Sequence, residues 1–242
     1  MDAPELVRLQ AAAWGLRLDG QRIDRLETFA RFLSSYEEAN VIGTRAQREV
    51  LLEHVMDSLS CFLFRPLAEA GRLVDVGSGG GLPGLPVKIA EPRLTVALVE
   101  ATGKKARFLQ RAVDTLSIGG VEVVNERAED VGRAREHRGA YDVATTRAVA
   151  RLSVVAEYCV PLLRVGGHAI CMKGRLEEAE VSEGERAAAE LGAEVREVIK
   201  VPRLAELGEK QRTLVVLRKV GETPGKYPRS VGTPAKRPLG MV

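Results

Sequence analysis

Asp75, Gly77, Gly79, Gly81 and Gly84 lie within ten residues in Leu73-Val74-Asp75-Val76-Gly77-Ser78-Gly79-Gly80-Gly81-Leu82-Pro83-Gly84. An apolar strand therefore runs into a glycine-packed turn. Without Cβ atoms the main chain can approach a ligand closely and take positive φ, and the helix that follows turns its partially positive end toward the same spot. Two ligand chemistries fit. Gly79, Gly81 and Gly84 satisfy G-x-G-x-x-G, in which a dinucleotide pyrophosphate sits on the helix N-terminus. One register earlier, Asp75-x-Gly77-x-Gly79 is the pattern of enzymes that use S-adenosylmethionine, with Ser78 in the same turn. A carboxylate inside the turn suits an ammonium and a sulfonium and repels a pyrophosphate, so Asp75 favours S-adenosylmethionine. The alternating segment Leu94–Val99 ends at Glu100, about 20 residues past the turn, where a ribose-binding carboxylate is expected.

The methyl acceptor is narrowed by what is missing. Methylation at cytosine C5 needs a cysteine nucleophile, usually after a proline, and none of Cys61, Cys159 and Cys171 follows one. Exocyclic base amines are commonly methylated at an Asn/Asp-Pro-Pro-aromatic turn, where this chain reads Thr145-Thr146-Arg147-Ala148-Val149. Guanine N7 carries an in-plane lone pair, so positioning alone can serve and no general base is required. Arg147 is the candidate to contact the cofactor or guanine O6, and Lys173, in Met172-Lys173-Gly174, the candidate to reach a phosphate at the same sheet edge. Arg127-Ala128-Glu129 follows the third strand, in a loop expected to flank an adenine through the Ala128 N–H and Glu129.

These residues need a scaffold that brings strand ends together. Before Arg72 the apolar spacing predicts helices over about 4–14, 20–38 and 45–64, forming a helical cap over 1–66. From there strands alternate with helices, which predicts an α/β domain over 67–219 with a mostly parallel sheet. Strands are expected at Leu73–Val76, Leu94–Val99, Val121–Val124, Tyr141–Thr145, His168–Met172, Glu194–Val201 and Thr213–Lys219, with Gly166-Gly167 as the turn before the fifth and helices near 103–117, 151–163 and 175–191. No full helix separates the last two, so they are expected as an antiparallel pair at the sheet edge.

With 242 residues, 45% hydrophobic and 29% charged, the chain can bury one substantial core. It shows neither a charged-then-apolar leader nor an apolar run of about 18 residues, so a cytoplasmic protein without membrane contact is expected. The three cysteines lack C-x-x-C spacing and are expected as buried thiols, and His54, His137 and His168 are too scattered to suggest a metal site. In residues 219–242, Lys219, Lys226, Arg229, Lys236 and Arg237 stand against Glu222 alone, so this segment holds the whole positive excess of a chain of net charge +3. Four prolines and four glycines there predict an extended basic arm over 220–242 that suits a polyanion such as RNA.

The ordered segments His54-x-x-Asp57-Ser58, Asp75 to Gly84, Gly103-Lys-Lys-Ala-Arg-Phe108, Arg127-Ala-Glu129, Arg147-Ala-Val149, Met172-Lys-Gly174 and Tyr227-Pro-Arg229 together resemble the bacterial small-subunit ribosomal RNA guanine-N7 methyltransferases, the RsmG (GidB) family. The resemblance implies a seven-stranded Rossmann-like class I S-adenosylmethionine-dependent methyltransferase fold with an N-terminal helical cap and one reversed strand. It implies methyl transfer to N7 of a guanine in 16S rRNA, free or in a small-subunit particle. By motif position Gly77, Leu82, Glu100, Ala101, Thr102, Ala128, Glu129 and Arg147 would line the cofactor site; Lys173, Tyr227, Arg229 and the tail residues Lys236 and Arg237 are the RNA-binding candidates, and His54 is expected to hold the cap against the sheet. Where the family usually reads Asn-Leu-Thr, this chain has Asn40-Val41-Ile42. Other readings remain: a methyltransferase for a small molecule or protein, a non-catalytic rRNA-binding assembly factor and, less favoured for want of a Tyr-x-x-x-Lys pair, a dinucleotide oxidoreductase.

Overall fold

The computed structural model describes residues 1–208 and 210–241. Seven strands, β1 (Arg72–Val76), β2 (Thr95–Val99), β3 (Val121–Val124), β4 (Tyr141–Arg147), β5 (Leu163–Lys173), β6 (Ala193–Lys200) and β7 (Thr213–Lys219), form one sheet in the order β3-β2-β1-β4-β5-β7-β6. Only β7 is reversed, antiparallel to both β5 and β6. The seven-strand α/β expectation and the antiparallel pair at the edge both hold.

Period-two alternation sorts the sheet into two faces. Leu73, Val96, Leu98, Val143, Ile170 and Val216 face one apolar cluster, and Val74, Val76, Ala97, Ala144, Cys171 and Leu217 face the other. The first face is covered by α1 (Ala3–Ala13), α2 (Gly20–Ser35), α4 (Met56–Leu59), α5 (Gly84–Ala90) and α6 (Gly103–Thr115), while the short α3 (Gln47–Glu49) is exposed. The second is covered by α7 (Ala128–Val131), α8 (Leu152–Cys159), α9 (Glu178–Glu190) and α10 (Thr233–Lys236). Trp14, Leu26, Phe29, Leu33, Val55 and Leu59 belong to the same buried cluster as Leu73, Leu98 and Phe108. The cap is thus a layer of the main core.

Three elements depart from the sequence reading. The helix expected over 45–64 is broken: α3 passes through a π-helical turn at Val50–Val55 into α4 and then a 3₁₀ turn at Ser60–Leu63. Residues 55–62 are buried all round, so packing rather than a single apolar stripe sets the backbone there. Gly166-Gly167 lies inside β5, which begins at Leu163, and the register with β4 shifts between Tyr141 and Val143. Gly166 has φ 84, as expected where an irregularity bends a strand. Cys61, Cys159 and Cys171 are free and buried. No helix among the described residues is long and apolar enough to cross a membrane.

The third departure is the C-terminal segment. It folds back over α7, α8 and α9 instead of extending as an arm, with Tyr227, Pro234 and Leu239 buried. Burial of Leu239 alone contributes roughly 1.5–3 kcal/mol, and prolines lower the entropy lost on ordering. The Arg138 guanidinium donates to the carbonyls of Tyr227 at 2.7 Å and Thr223 at 2.9 Å, and Arg133 to that of Pro228 at 2.9 Å. Val242, the last residue of the expected arm, lies outside the described residues.

Candidate active site

Strand order reverses between β1 and β4, and their C-terminal ends open the crevice in which ligands of such sheets bind. Asp75 sits there fully buried. Its carboxylate accepts from the Thr145 hydroxyl at 2.9 Å and the Gly84 amide at 3.1 Å, while the Ser78 hydroxyl donates to its carbonyl at 2.8 Å. Burial pushes the Asp75 carboxyl up to about 6, with the Thr145 and Gly84 hydrogen bonds pulling the other way. Each oxygen accepts one hydrogen bond from within the turn's own surroundings and the side chain is 0% exposed, so Asp75 braces the turn. The contact expected between this carboxylate and a cationic ligand group would have to be made from behind the turn backbone.

The turn brings Glu100 to its edge. The Glu100 carboxylate accepts from the Gly79 amide at 3.0 Å and the Thr102 amide at 2.7 Å, and Asn125 fixes its carbonyl at 2.8 Å. One lone pair per oxygen remains for ligand hydroxyls. Gly77 has φ 72, and a Cβ there would lie 2.6 Å from Val149; only glycine lets the loop after β4 close over the turn. A Cβ at Gly80 would meet the Val41 carbonyl at 2.9 Å, so the Asn40–Ile42 segment walls the turn. Leu82 is buried, whereas Ala101 and Thr102 are exposed beside Glu100. Ala128 is half-buried at the start of α7, but Glu129 is buried and accepts from the Gly232 amide at 2.9 Å. That oxygen faces the docked C-terminal segment.

A cleft of about 290 Å³ lies beside the turn, lined by His54, Asp57, Arg147, Ala148, Met172, Lys173, Gly174 and Arg212. Asp57 anchors it. Its buried carboxylate takes two hydrogen bonds from the Arg212 Nε, each 3.1 Å, and stands 3.7 Å from the Arg147 guanidinium. The Arg147 guanidinium also donates to the His54 carbonyl at 3.3 Å, which ties cap to sheet through the His54 backbone. The imidazole lines the cleft, and burial followed by Arg147 lowers its pKa. Lys173 differs from expectation: its ammonium binds the Ala150 carbonyl and the Glu180 carboxylate, both at 2.6 Å. It fixes the loop after β4 onto α9 instead of reaching outward.

Tyr227 and Arg229 are likewise engaged internally. The Tyr227 hydroxyl donates to Glu190 at 2.8 Å. Arg229 clasps the fully buried Glu157 carboxylate through Nε at 2.9 Å and Nη2 at 2.6 Å, with its backbone amide at 2.7 Å. The RNA contacts expected of these two side chains are replaced by docking contacts. Lys236 and Arg237 are exposed on and just after α10.

Comparison with known proteins supplies the family. Residues 22–214 match the GidB family model, described as rRNA small subunit methyltransferase G. The chain belongs to this family. Ribosomal RNA small subunit methyltransferase G of Rubrobacter xylanophilus is 58% identical over 238 residues, covering 98% of this chain and 91% of that one. Its counterpart in Roseiflexus castenholzii is 45% identical over 97% of this chain and 99% of its own length. Among solved structures, a geranyl diphosphate methyltransferase aligns at TM-score 0.52 and 16% identity, covering 81% of this chain and 100% of that one; that likeness concerns the fold.

In this GidB family member the cleft contains two residues to which the sequence reading gave no role. Asp57 had a signal, the His54-x-x-Asp57 spacing that sets two polar side chains on one face of a helical turn. Arg212 had none, because only the chain reversal into β7 carries it to the end of β4. No group of three or more His, Cys, Asp or Glu side chains among the described residues could hold a metal ion.

Proposed function

We propose that this protein transfers a methyl group from S-adenosylmethionine to N7 of a guanine in 16S rRNA. Family membership supports the reaction class. The observation that carries the finer reading is the cleft, in which two arginines are held by Asp57 beside the braced glycine turn and no unpaired carboxylate is available as a base among the described lining residues.

The turn fits the methyl donor. Positive φ at Gly77 and Gly79, the close approach at Gly80 and the Glu100 carboxylate with lone pairs to spare suit a ribose diol and a zwitterionic tail, and they offer no cluster of unengaged amides for a pyrophosphate. Gly77 to Gly79, Leu82 and Glu100 to Thr102 would hold it, with Ala128 at the adenine end. When bound, S-adenosylmethionine supplies an electrophilic methyl on a sulfonium.

The protein's own work is positioning. The guanine N7 lone pair forms the new N–C bond as the C–S pair withdraws to sulfur, and N7 has no proton to remove. An arginine on N7 would block that lone pair, so Arg147 and Arg212 serve by donating to O6 alone or to flanking phosphates. The ring gains positive charge in the transition state. Asp57 offsets part of the two guanidinium charges and limits the repulsion. Lys173 acts one step back, holding the Ala150 carbonyl and with it the loop after Arg147.

The test is incubation of the purified protein with S-adenosylmethionine and unmethylated small-subunit rRNA or particles, followed by nucleoside analysis. One N7-methylguanosine per rRNA is expected. RNA binding without methyl transfer would identify an assembly factor, and binding of NAD but not S-adenosylhomocysteine an oxidoreductase.

A further inference from the structure

The docked C-terminal segment leaves an RNA methyltransferase without its expected basic arm, and the structure offers another surface. A groove of about 880 Å³ lies between the segment after β5, the start of α9, edge strand β6 and the connection into β7. Among the described residues its charged lining is Arg175, Lys200, Arg203, Lys210 and Arg212 against Glu178. Arg203 and Lys210 share Glu53, at 2.9 and 2.6 Å, which fixes that wall in place. Arg175 and Lys200 are exposed and make no ion pair among the described residues. Between the basic positions runs an aliphatic strip that includes Leu176 and Val198, the latter 46% exposed.

The groove continues into the active-site cleft. Arg212 lines both, and Lys173 and Gly174 in the cleft are followed directly by Arg175 and Leu176 in the groove. Val198 and Lys200, two apart on β6, share a face of the strand. An apolar strip flanked by cations, leading to a site that must receive a single base, has the pattern of a single-stranded nucleic-acid track: phosphates on the rim, base faces on the floor. A protein partner of matching charge would need acidic side chains but would have no call for the opening into the cleft.

The geometry points to this groove as the path by which the RNA strand flanking the target guanine enters the site, with Arg175 and Lys200 on its phosphates and Val198 and Leu176 beneath its bases. The inference rests on the RNA-substrate reading above and adds the surface that holds the strand.

Its test is direct RNA binding by the full-length protein, using an unmethylated small-subunit rRNA fragment and poly(U) over a range of salt. Arg175→Gln/Lys200→Gln is expected to weaken both at least about tenfold at physiological salt and to flatten the log–log salt dependence by about 1.4, at about 0.7 per single-strand phosphate lost. Val198→Asp should weaken binding similarly. S-adenosylhomocysteine affinity and melting temperature should be those of the parent, which shows that the variants fold. A control, Lys236→Gln/Arg237→Gln, should stay within about twofold. Groove variants that bind as the parent does, or a parent that binds neither RNA, would overturn the inference. If the parent binds RNA through the groove yet transfers no methyl group, the activity reading falls and the groove stands; methylation unaffected by groove variants means the reverse.

Discussion

Replacing Asp75 separates a residue that braces the turn from one that touches the ligand. In Asp75→Ala the Gly84 amide and the Thr145 hydroxyl lose their shared acceptor in a fully buried place. Each unsatisfied group costs about 1–3 kcal/mol, so a loss of about 2–6 kcal/mol is expected, or very roughly 4–24 °C in melting temperature at ~2–4 °C per kcal/mol for a chain of this size. Asp75→Asn can keep both bonds, with its carbonyl toward Gly84 and its amide donating to the Thr145 oxygen, and should lose only about 1 kcal/mol. Calorimetric S-adenosylhomocysteine affinity should then fall at most about tenfold in Asn and far more in Ala. The pH dependence follows from the raised carboxyl, about 6 against an ordinary 3.8. The folded state holds this proton more tightly than the unfolded chain, so a stabilising contribution present below about pH 4 is lost as pH rises through about 6. The melting temperature of the parent relative to Asp75→Asn should therefore decline across that window and level off above it. An Asn variant that melts like the parent but binds S-adenosylhomocysteine a hundredfold more weakly would refute the bracing argument and place the charge on the ligand.

Other perturbations give equally definite outcomes. Arg229→Ala leaves the Glu157 carboxylate, 0% exposed, with only a backbone amide; about 3 kcal/mol should be lost in thermal unfolding, with most of it recovered in Arg229→Ala/Glu157→Gln, and a loss below about 0.5 kcal/mol would mean that the C-terminal segment is not docked as described. Glu100→Gln turns an N–H toward either the Gly79 or the Thr102 amide, so S-adenosylhomocysteine should bind about 10–100-fold more weakly; parent-like affinity would remove Glu100 from the cofactor site. Lys173→Met frees the Ala150 carbonyl and should lower kcat while leaving the salt dependence of the RNA KM intact. A salt slope reduced by about 0.7 would instead put Lys173 on a phosphate.

The residues explain why some features could be read from sequence and others not. The β1 turn and β7 were legible because their signals are local, an apolar run meeting glycines in one and the continuous β-branched and aliphatic run Leu214-Val215-Val216-Leu217 in the other. The length of β5 was not, because Gly166-Gly167 reads as a turn while its role is set by pairing with β4. The C-terminal segment was misread for the same kind of reason. Its prolines and glycines describe the local chain, but its course is decided by Glu157, Arg138 and Arg133, some 70 to 95 residues away in sequence. Lys173 and Arg229 look like free cations until the folded chain supplies Glu180 and Glu157. The family motifs include the glycine turn, Asp57 and Arg147; that Thr145 and Arg212 partner Asp75 and Asp57 is set by the fold and was not legible in those motifs.

The most direct measurement is the position of the methyl group. Small-subunit rRNA lacking base methylation, incubated with the protein and isotopically labelled S-adenosylmethionine, should acquire label in a single N7-methylguanosine, found by nuclease digestion and mass spectrometry. Label on another atom or base, or none with RNA or particle, would contradict the account.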